Sequence, residues 1–220
     1  QRSWLLDLSS GSSGTEDFPF SVWAKLMRRV LSEEGEELLR ATPPNGADAL
    51  RRAIAQHLYR FRGISAAPEQ IVVGAGTEYL YNLIVQLLGR DAVYGVEDPG
   101  YSKAARIYAL GGARTAPVLV DEGGVSLKSL EMSGAQILHT SPNHQFPTGA
   151  VTPIGRRQSL LRWAEAREGR YIIEDDYDSE FRFVGRPIPT LFSIDGGEQV
   201  VYLNTFSKTI APSIRISFMV

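Results

Sequence analysis

Apolar and polar positions alternate weakly over the first residues and then give way to Ser9, Ser10, Gly11, Ser12, Ser13 and Gly14, so residues 1–20 read as an N-terminal arm ending at Phe18, Pro19 and Phe20. From Ser21 the period changes. Val22, Trp23, Leu26, Met27, Val30 and Leu31 recur at spacings of three and four, which predicts an amphipathic helix with Lys25, Arg28 and Arg29 outward. Pro43, Pro44, Asn45 and Gly46 break it. A second helix is expected from about Ala47 to Arg62, with Leu50, Ile54, Leu58 and Phe61 on one face and Gly63 as its stop.

Short apolar runs then alternate with helical stretches. Strands are expected at Ile71–Val73, Ala92–Val96, Thr115–Val120, Ala135–Leu138, Tyr171–Ile173 and Val200–Leu203. Helices are expected at Thr77–Leu88, closed by Gly89, from the Pro99-Gly100-Tyr101 turn to Leu110, and from Pro153 through Leu160, Leu161 and Trp163 to Gly169. Continuous apolar strands alternating with helices predict an α/β fold with a mainly parallel sheet covered on both faces. No internal repeat is visible. Residues 21–220 read as one large domain.

Composition narrows the function classes. Hydrophobic residues make up 43% of the chain, and 23 Lys and Arg against 25 Asp and Glu leave a net charge of -2, so no basic field advertises nucleic acid or an anionic membrane. Any DNA contact is expected to lie outside this chain. Without cysteine there are no disulfides, thiolate nucleophiles or Cys-ligated metals, and His57, His139 and His144 lack metal-ligand spacing, so no metal site is expected. No run approaches a membrane span and no signal-peptide pattern opens the chain, which makes the cytoplasm the expected compartment.

In open α/β sheets ligands bind beyond the carboxyl ends of the strands. The unusual residues fall at such ends: Gly74, Gly76 and Thr77; Tyr101; Asn143 to Gly149; Asp175 to Tyr177; and Lys208. Each has an ordinary alternative taken singly. Gly74, Gly76 and Thr77 open a helix whose free N–H groups suit a phosphate, or form a plain turn, and Tyr79 breaks the GxGxxG dinucleotide pattern. Asp175 is expected to be partly buried and therefore paired, for which a salt bridge is the ordinary alternative. Tyr177 would share its side if the strand continued. Tyr101 could stack on a ligand or join the core, and Arg156 and Arg157 are expected on a solvated helix face. In the run YLNTFSKTIAPSIR, Lys208 follows an apolar strand among small hydroxyls, with Arg215 beyond it, which suits a carbonyl-reactive lysine beside an anionic cofactor. Together these residues describe a site for pyridoxal 5'-phosphate.

The motifs VEDPGY (96–101), HQFPTG (144–149), IIEDDYDSEFR (172–182) and TFSKTIAPSIR (205–215) make the chain resemble fold type I pyridoxal-phosphate proteins of the class I/II aminotransferases. The closer resemblance is to the effector domains of MocR-type members of the GntR transcriptional regulators, from about Leu6 to Val220. It implies that Lys208 forms the internal aldimine, Asp175 pairs with the pyridinium nitrogen, Tyr177 bonds the phenolic oxygen and Tyr101 stacks on the ring. Gly76, Thr77, Thr205 and Arg215 would hold the phosphate, with Ser207 beside them. The chain departs from the aminotransferase pattern at Phe146, where NPTG loops carry the asparagine that bonds the phenolic oxygen. The family's small C-terminal domain and a winged-helix DNA-binding region would lie outside residues 1–220, which reads as a fragment of a longer chain.

Two functions follow from the resemblance. One is an effector-sensing and dimerisation domain of a regulator that takes an amino compound as an external aldimine. The other is a working aminotransferase with Lys208 as general base. They share every cofactor residue. A sheet scaffold without cofactor is the third reading. The resemblance also implies a homodimer, with the polar arm and first helix near the partner.

Overall fold

The structure is a computed structural model that describes residues 18–178, 180–181 and 188–220. The polar arm before Phe18, Ser179 and Arg182 thus lie outside the described residues. The chain divides into two compact units, residues 1–44 and 45–220. In the first, α1 (Phe20–Glu34) begins at Pro19, whose carbonyl accepts the Trp23 N–H at 3.0 Å. Phe18 sits edge-on to Phe20 and Trp23, and Arg29 pairs with Glu33 one turn on.

The second unit carries eight strands: β1 (Val72–Gly74), β2 (Val93–Asp98), β3 (Arg114–Asp121), β4 (Gly124–Val125), β5 (Ile137–Thr140), β6 (Tyr171–Asp175), β7 (Val200–Thr205) and β8 (Ser217–Met219). Its helices are α2 (Asp48–Arg62), α3 (Thr77–Leu88), α4 (Ser102–Leu110), α5 (Leu127–Ser133), α6 (Ile154–Glu165) and α7 (Leu191–Asp195). One sheet is formed in the order β1-β8-β7-β6-β5-β2-β3-β4. The five strands from β7 to β3 run parallel, whereas β8 is antiparallel to both β1 and β7, and β4 to β3. The expected mainly parallel α/β sheet is therefore present, with antiparallel pairs at both edges. The short elements β4, α5 and α7 carry too few residues for a period to show.

Strand alternation divides the core between the two faces. Ile137, Ile173, Leu203 and Met219 pack with α3 and α4 through Leu80, Tyr81, Ile84 and Tyr108. Their neighbours Leu138, Ile172, Tyr202 and Phe218 pack with α2, α6 and α7 through Leu58, Leu160, Trp163 and Phe192. Each fully buried Leu or Ile contributes roughly 1.5–3 kcal/mol relative to exposure. Two-sided burial is why the strands read as continuous apolar runs rather than alternating ones.

Arg157 overturns one expectation. It lies on α6 with Arg156, but its side chain is fully buried. Its guanidinium donates to the carbonyls of Thr152, Pro189 and Pro142 at 2.8, 3.0 and 2.9 Å and stands 3.9 Å from Glu174. Three loop carbonyls and a carboxylate turn a charge that would cost several kcal/mol alone into a clamp on the loops around β5. Arg156, as expected, stays near the surface, where it pairs with Asp121 at 3.1 Å.

Candidate functional site

Parallel neighbours end on the same edge of the sheet, so the ends of β2, β5, β6 and β7 lie together, with Thr140 opposite Glu174 and Asp175 opposite Leu203. Antiparallel β8 adds two more ends to that edge. Its first residue, Ser217, pairs with both Thr205 and Gly74, which brings the last residue of β7 and the last of β1 to either side of it. Residues just before β8 thereby meet residues just after β1. Arg215 and Gly76 are that meeting: a Cβ built on Gly76 would collide with Arg215 Nη2.

Gly76 has φ 96° and ψ 162°, a conformation that side-chain-bearing residues avoid, and it precedes Thr77, the first residue of α3. A guanidinium packed on a bare Cα beside the free N–H groups of a helix that runs for 12 residues makes a cradle for an anion with phosphate chemistry. Thr205 lines the same corner. Its hydroxyl accepts from Ser217 Oγ at 2.8 Å and from the Ser207 N–H at 3.1 Å, shaping the turn that carries Lys208. The Ser207 and Thr209 hydroxyl oxygens are buried and have no hydrogen-bond partner among the described residues. Lys208 is exposed on that turn.

The run Glu174-Asp175-Asp176 shows what alternation does with three consecutive carboxylates. Glu174 turns toward α7, accepting the Leu191 and Phe192 N–H groups at 3.0 and 2.9 Å, and burial pushes its carboxyl up to about 7. Asp176 lies 2.9 Å from Arg62 and accepts from Tyr202 and Asn143, each at 2.6 Å; burial raises it as well, against the pull of Arg62. Asp175 alone turns to the α3 face. There it accepts the Tyr81 hydroxyl on Oδ2, with His139 Nε2 at 3.4 Å from the same oxygen, while Oδ1 is buried with no partner among the described residues. The expected pairing of Asp175 is thus to a tyrosine and a histidine rather than to an arginine or lysine.

Tyr177 lies past the end of β6, and its hydroxyl donates to the His144 carbonyl at 2.9 Å. Burial and then Asp178 push the phenol well above its ordinary range, so it keeps its proton. The loop after β5 is held by Gln145, which donates to Glu97, Pro99 and Phe146, and by Glu97, which accepts from Thr140 at 2.6 Å and the Ser141 N–H at 3.1 Å. Phe146 stands edge-on to Tyr101 at 6.5 Å, and both rings are exposed. Desolvation raises the Tyr101 phenol above its ordinary range.

The residues present fit pyridoxal 5'-phosphate. Asp175 Oδ1 is a buried acceptor suited to a protonated ring nitrogen, the Gly76 and Arg215 cradle suits the phosphate, and Lys208 offers an amine on the turn that follows β7. Residues that were not expected in the site are Tyr81, Tyr108 and His139. Tyr81 and Tyr108 read as apolar helix-face positions, and only their hydroxyls, buried and in need of partners, could have pointed further. Among the described residues no cluster of His, Asp and Glu could hold a metal.

Comparison with known proteins agrees with this fold. Residues 4–218 match the family described as aminotransferase class I and II. The chain is 38% identical over 219 residues to the uncharacterized HTH-type transcriptional regulator YdeL of Bacillus subtilis (strain 168), covering 100% of this chain and 47% of YdeL. It is 36% identical over 204 residues to the probable rhizopine catabolism regulatory protein MocR of Rhizobium meliloti, covering 92% of this chain and 41% of that one. The solved structure of LysN, the α-aminoadipate aminotransferase of Thermus thermophilus in complex with N-(5'-phosphopyridoxyl)-L-leucine, superposes with a TM-score of 0.82 at 30% identity, over 94% of this chain and 53% of LysN. The chain thus spans about half the length of these relatives. By the extent of that match and by its sheet, the chain belongs to the family of class I and II aminotransferases.

Proposed function

We propose that this chain is the pyridoxal-phosphate-binding, effector-sensing and dimerising part of a MocR-type regulator of the GntR family, whose DNA contacts are made by a separate module. The observation that carries the reading is that regulators share 36–38% identity with almost the whole chain, together with Phe146 at the loop position where aminotransferases carry asparagine. When bound, pyridoxal phosphate supplies an aldehyde that condenses with primary amines and a ring that withdraws electrons.

The chain's own residues divide the remaining work. Gly76, Thr77, Thr205, Ser207 and Arg215 bind the phosphate, Asp175 holds a proton at the ring nitrogen, and Tyr101 covers a ring face. Tyr177 keeps its own proton, which would turn from the His144 carbonyl to the phenolic oxygen when the cofactor is bound. Lys208 supplies the primary amine, and an incoming amino compound competes with it. Phe146 brings no donor, so one contact of the aminotransferase site is lost. Competition at Lys208 then changes the domain's packing toward the DNA-binding module by differential affinity for two states. The protein works as a homodimer with α1 near the partner.

Multiple turnover tests the reading. Protein loaded with pyridoxal phosphate and mixed with amino acids and a keto acid should give a change in absorption and no accumulating product. Sustained product formation at ordinary enzymatic rates, of order 1–10³ per second, would instead make it an aminotransferase acting on an amino acid. Sedimentation of the loaded protein as a monomer would refute the dimer.

A further inference from the structure

Asp175 is gripped on one oxygen only. Tyr81 donates to Oδ2 from the second turn of α3, and His139 Nε2 approaches the same oxygen from β5 at 3.4 Å. Behind His139 stands Tyr108 of α4, its hydroxyl 2.6 Å from Nδ1. All four side chains are buried, and the Tyr81 and His139 rings meet edge-on at 5.0 Å. Desolvation first, and the neighbouring Asp175 second, push both phenols well above their ordinary range, so each keeps its proton and acts as a donor. With Tyr108 donating to Nδ1, His139 carries its hydrogen on Nε2, facing Asp175. Tyr81 thus donates to Oδ2, with His139 Nε2 beside the same oxygen at 3.4 Å, and Oδ1 is left buried and unpartnered among the described residues.

We propose that Tyr81, with Tyr108 acting through His139, is a positioning residue that keeps Asp175 in its carboxylate form and turns Oδ1 toward the cofactor, so that the proton the two share sits on the ring nitrogen. This rests on Asp175 facing the ring of pyridoxal phosphate. The physical reason is that a carboxylate buried away from water is stable only with donors, and a donor to the charged form favours that form. Removing the Tyr81 hydroxyl removes the nearer donor. The shared proton then moves from nitrogen toward Oδ1, leaving a neutral acid and a neutral pyridine. The ring loses electron-withdrawing power although nothing that touches it has been changed.

The test uses the full chain and pyridoxal 5'-phosphate labelled with ¹⁵N in the ring. In Tyr81→Phe, the nitrogen signal should move toward that of an unprotonated pyridine, and the dissociation constant for the cofactor should rise about tenfold, as expected for loss of one hydrogen bond to a charged group. Tyr108→Phe should shift the signal in the same direction by less, and it stands in if Tyr81→Phe does not fold. A merely structural role for either tyrosine would lower stability and leave the signal at its wild-type position, which overturns the proposal. Failure of the wild-type chain to bind the cofactor would overturn the functional reading and this inference with it. Wild-type binding with both variants indistinguishable from it would overturn the inference alone.

Discussion

Gly76→Ala separates the phosphate cradle from ordinary backbone strain. At φ 96° and ψ 162° an alanine costs about 1–3 kcal/mol in backbone conformation. Its Cβ would also collide with Arg215 Nη2 and stand 2.9 Å from Cζ, so the guanidinium must swing off the helix start. Arg215 itself holds φ 53°, unusual for a residue with a side chain, and has little freedom to follow by backbone adjustment. The lost phosphate contact is a charge-assisted hydrogen bond, about 1.5–3 kcal/mol, or about 10- to 150-fold in affinity. Gly63→Ala is the control, because Gly63 has φ 66° at the end of α2 with open space around its Cα. Urea denaturation should show a loss in both variants. Titration with pyridoxal phosphate, followed by absorbance, should show the affinity loss in Gly76→Ala alone. Equal cofactor affinity in the two variants would refute the cradle.

Three further outcomes follow. Arg157→Met should lower stability by about 3–5 kcal/mol, because it strands Glu174 and three loop carbonyls, and thermal denaturation reads it directly. Glu174 is raised in the folded chain from 4.5 to about 7, so the folded state holds the extra proton between those values. Its stabilising effect is complete below about pH 4.5 and is lost as pH rises to about 7, by about 3 kcal/mol, and Glu174→Gln should flatten the dependence of the urea midpoint over that range. Phe146→Asn restores the aminotransferase residue in the loop and should strengthen cofactor binding several-fold in the same absorbance titration; an unchanged or weaker affinity would show that the loop does not reach the ring.

Much of the site was legible because it depends on strand ends, and strand ends are marked by where apolar runs stop. Gly76, Asp175 and Lys208 each follow such a run, and parallel pairing carries the ends of β6 and β7, and with them Asp175 and the turn of Lys208, to one edge. The reach of β8 was not legible: three residues, antiparallel to two strands at once, set the Gly76 and Arg215 contact, and nothing local in Ser217–Met219 names its partners. Arg157 read as a surface residue because charge is normally solvated, whereas here three carbonyls from two loops replace the water. Glu174 and Asp176 could have been separated from Asp175 by extending the two-residue period of Tyr171–Ile173, which sends the outer two carboxylates to one face and Asp175 to the other. Tyr177 shows where that extension stops, since β6 ends at Asp175.

Borohydride reduction of the chain loaded with pyridoxal phosphate, followed by peptide mass mapping, addresses the central claim most directly. The account predicts a single stable adduct on Lys208 that disappears in Lys208→Ala. No adduct, or one carried equally by Lys25, Lys103 or Lys128, would contradict it.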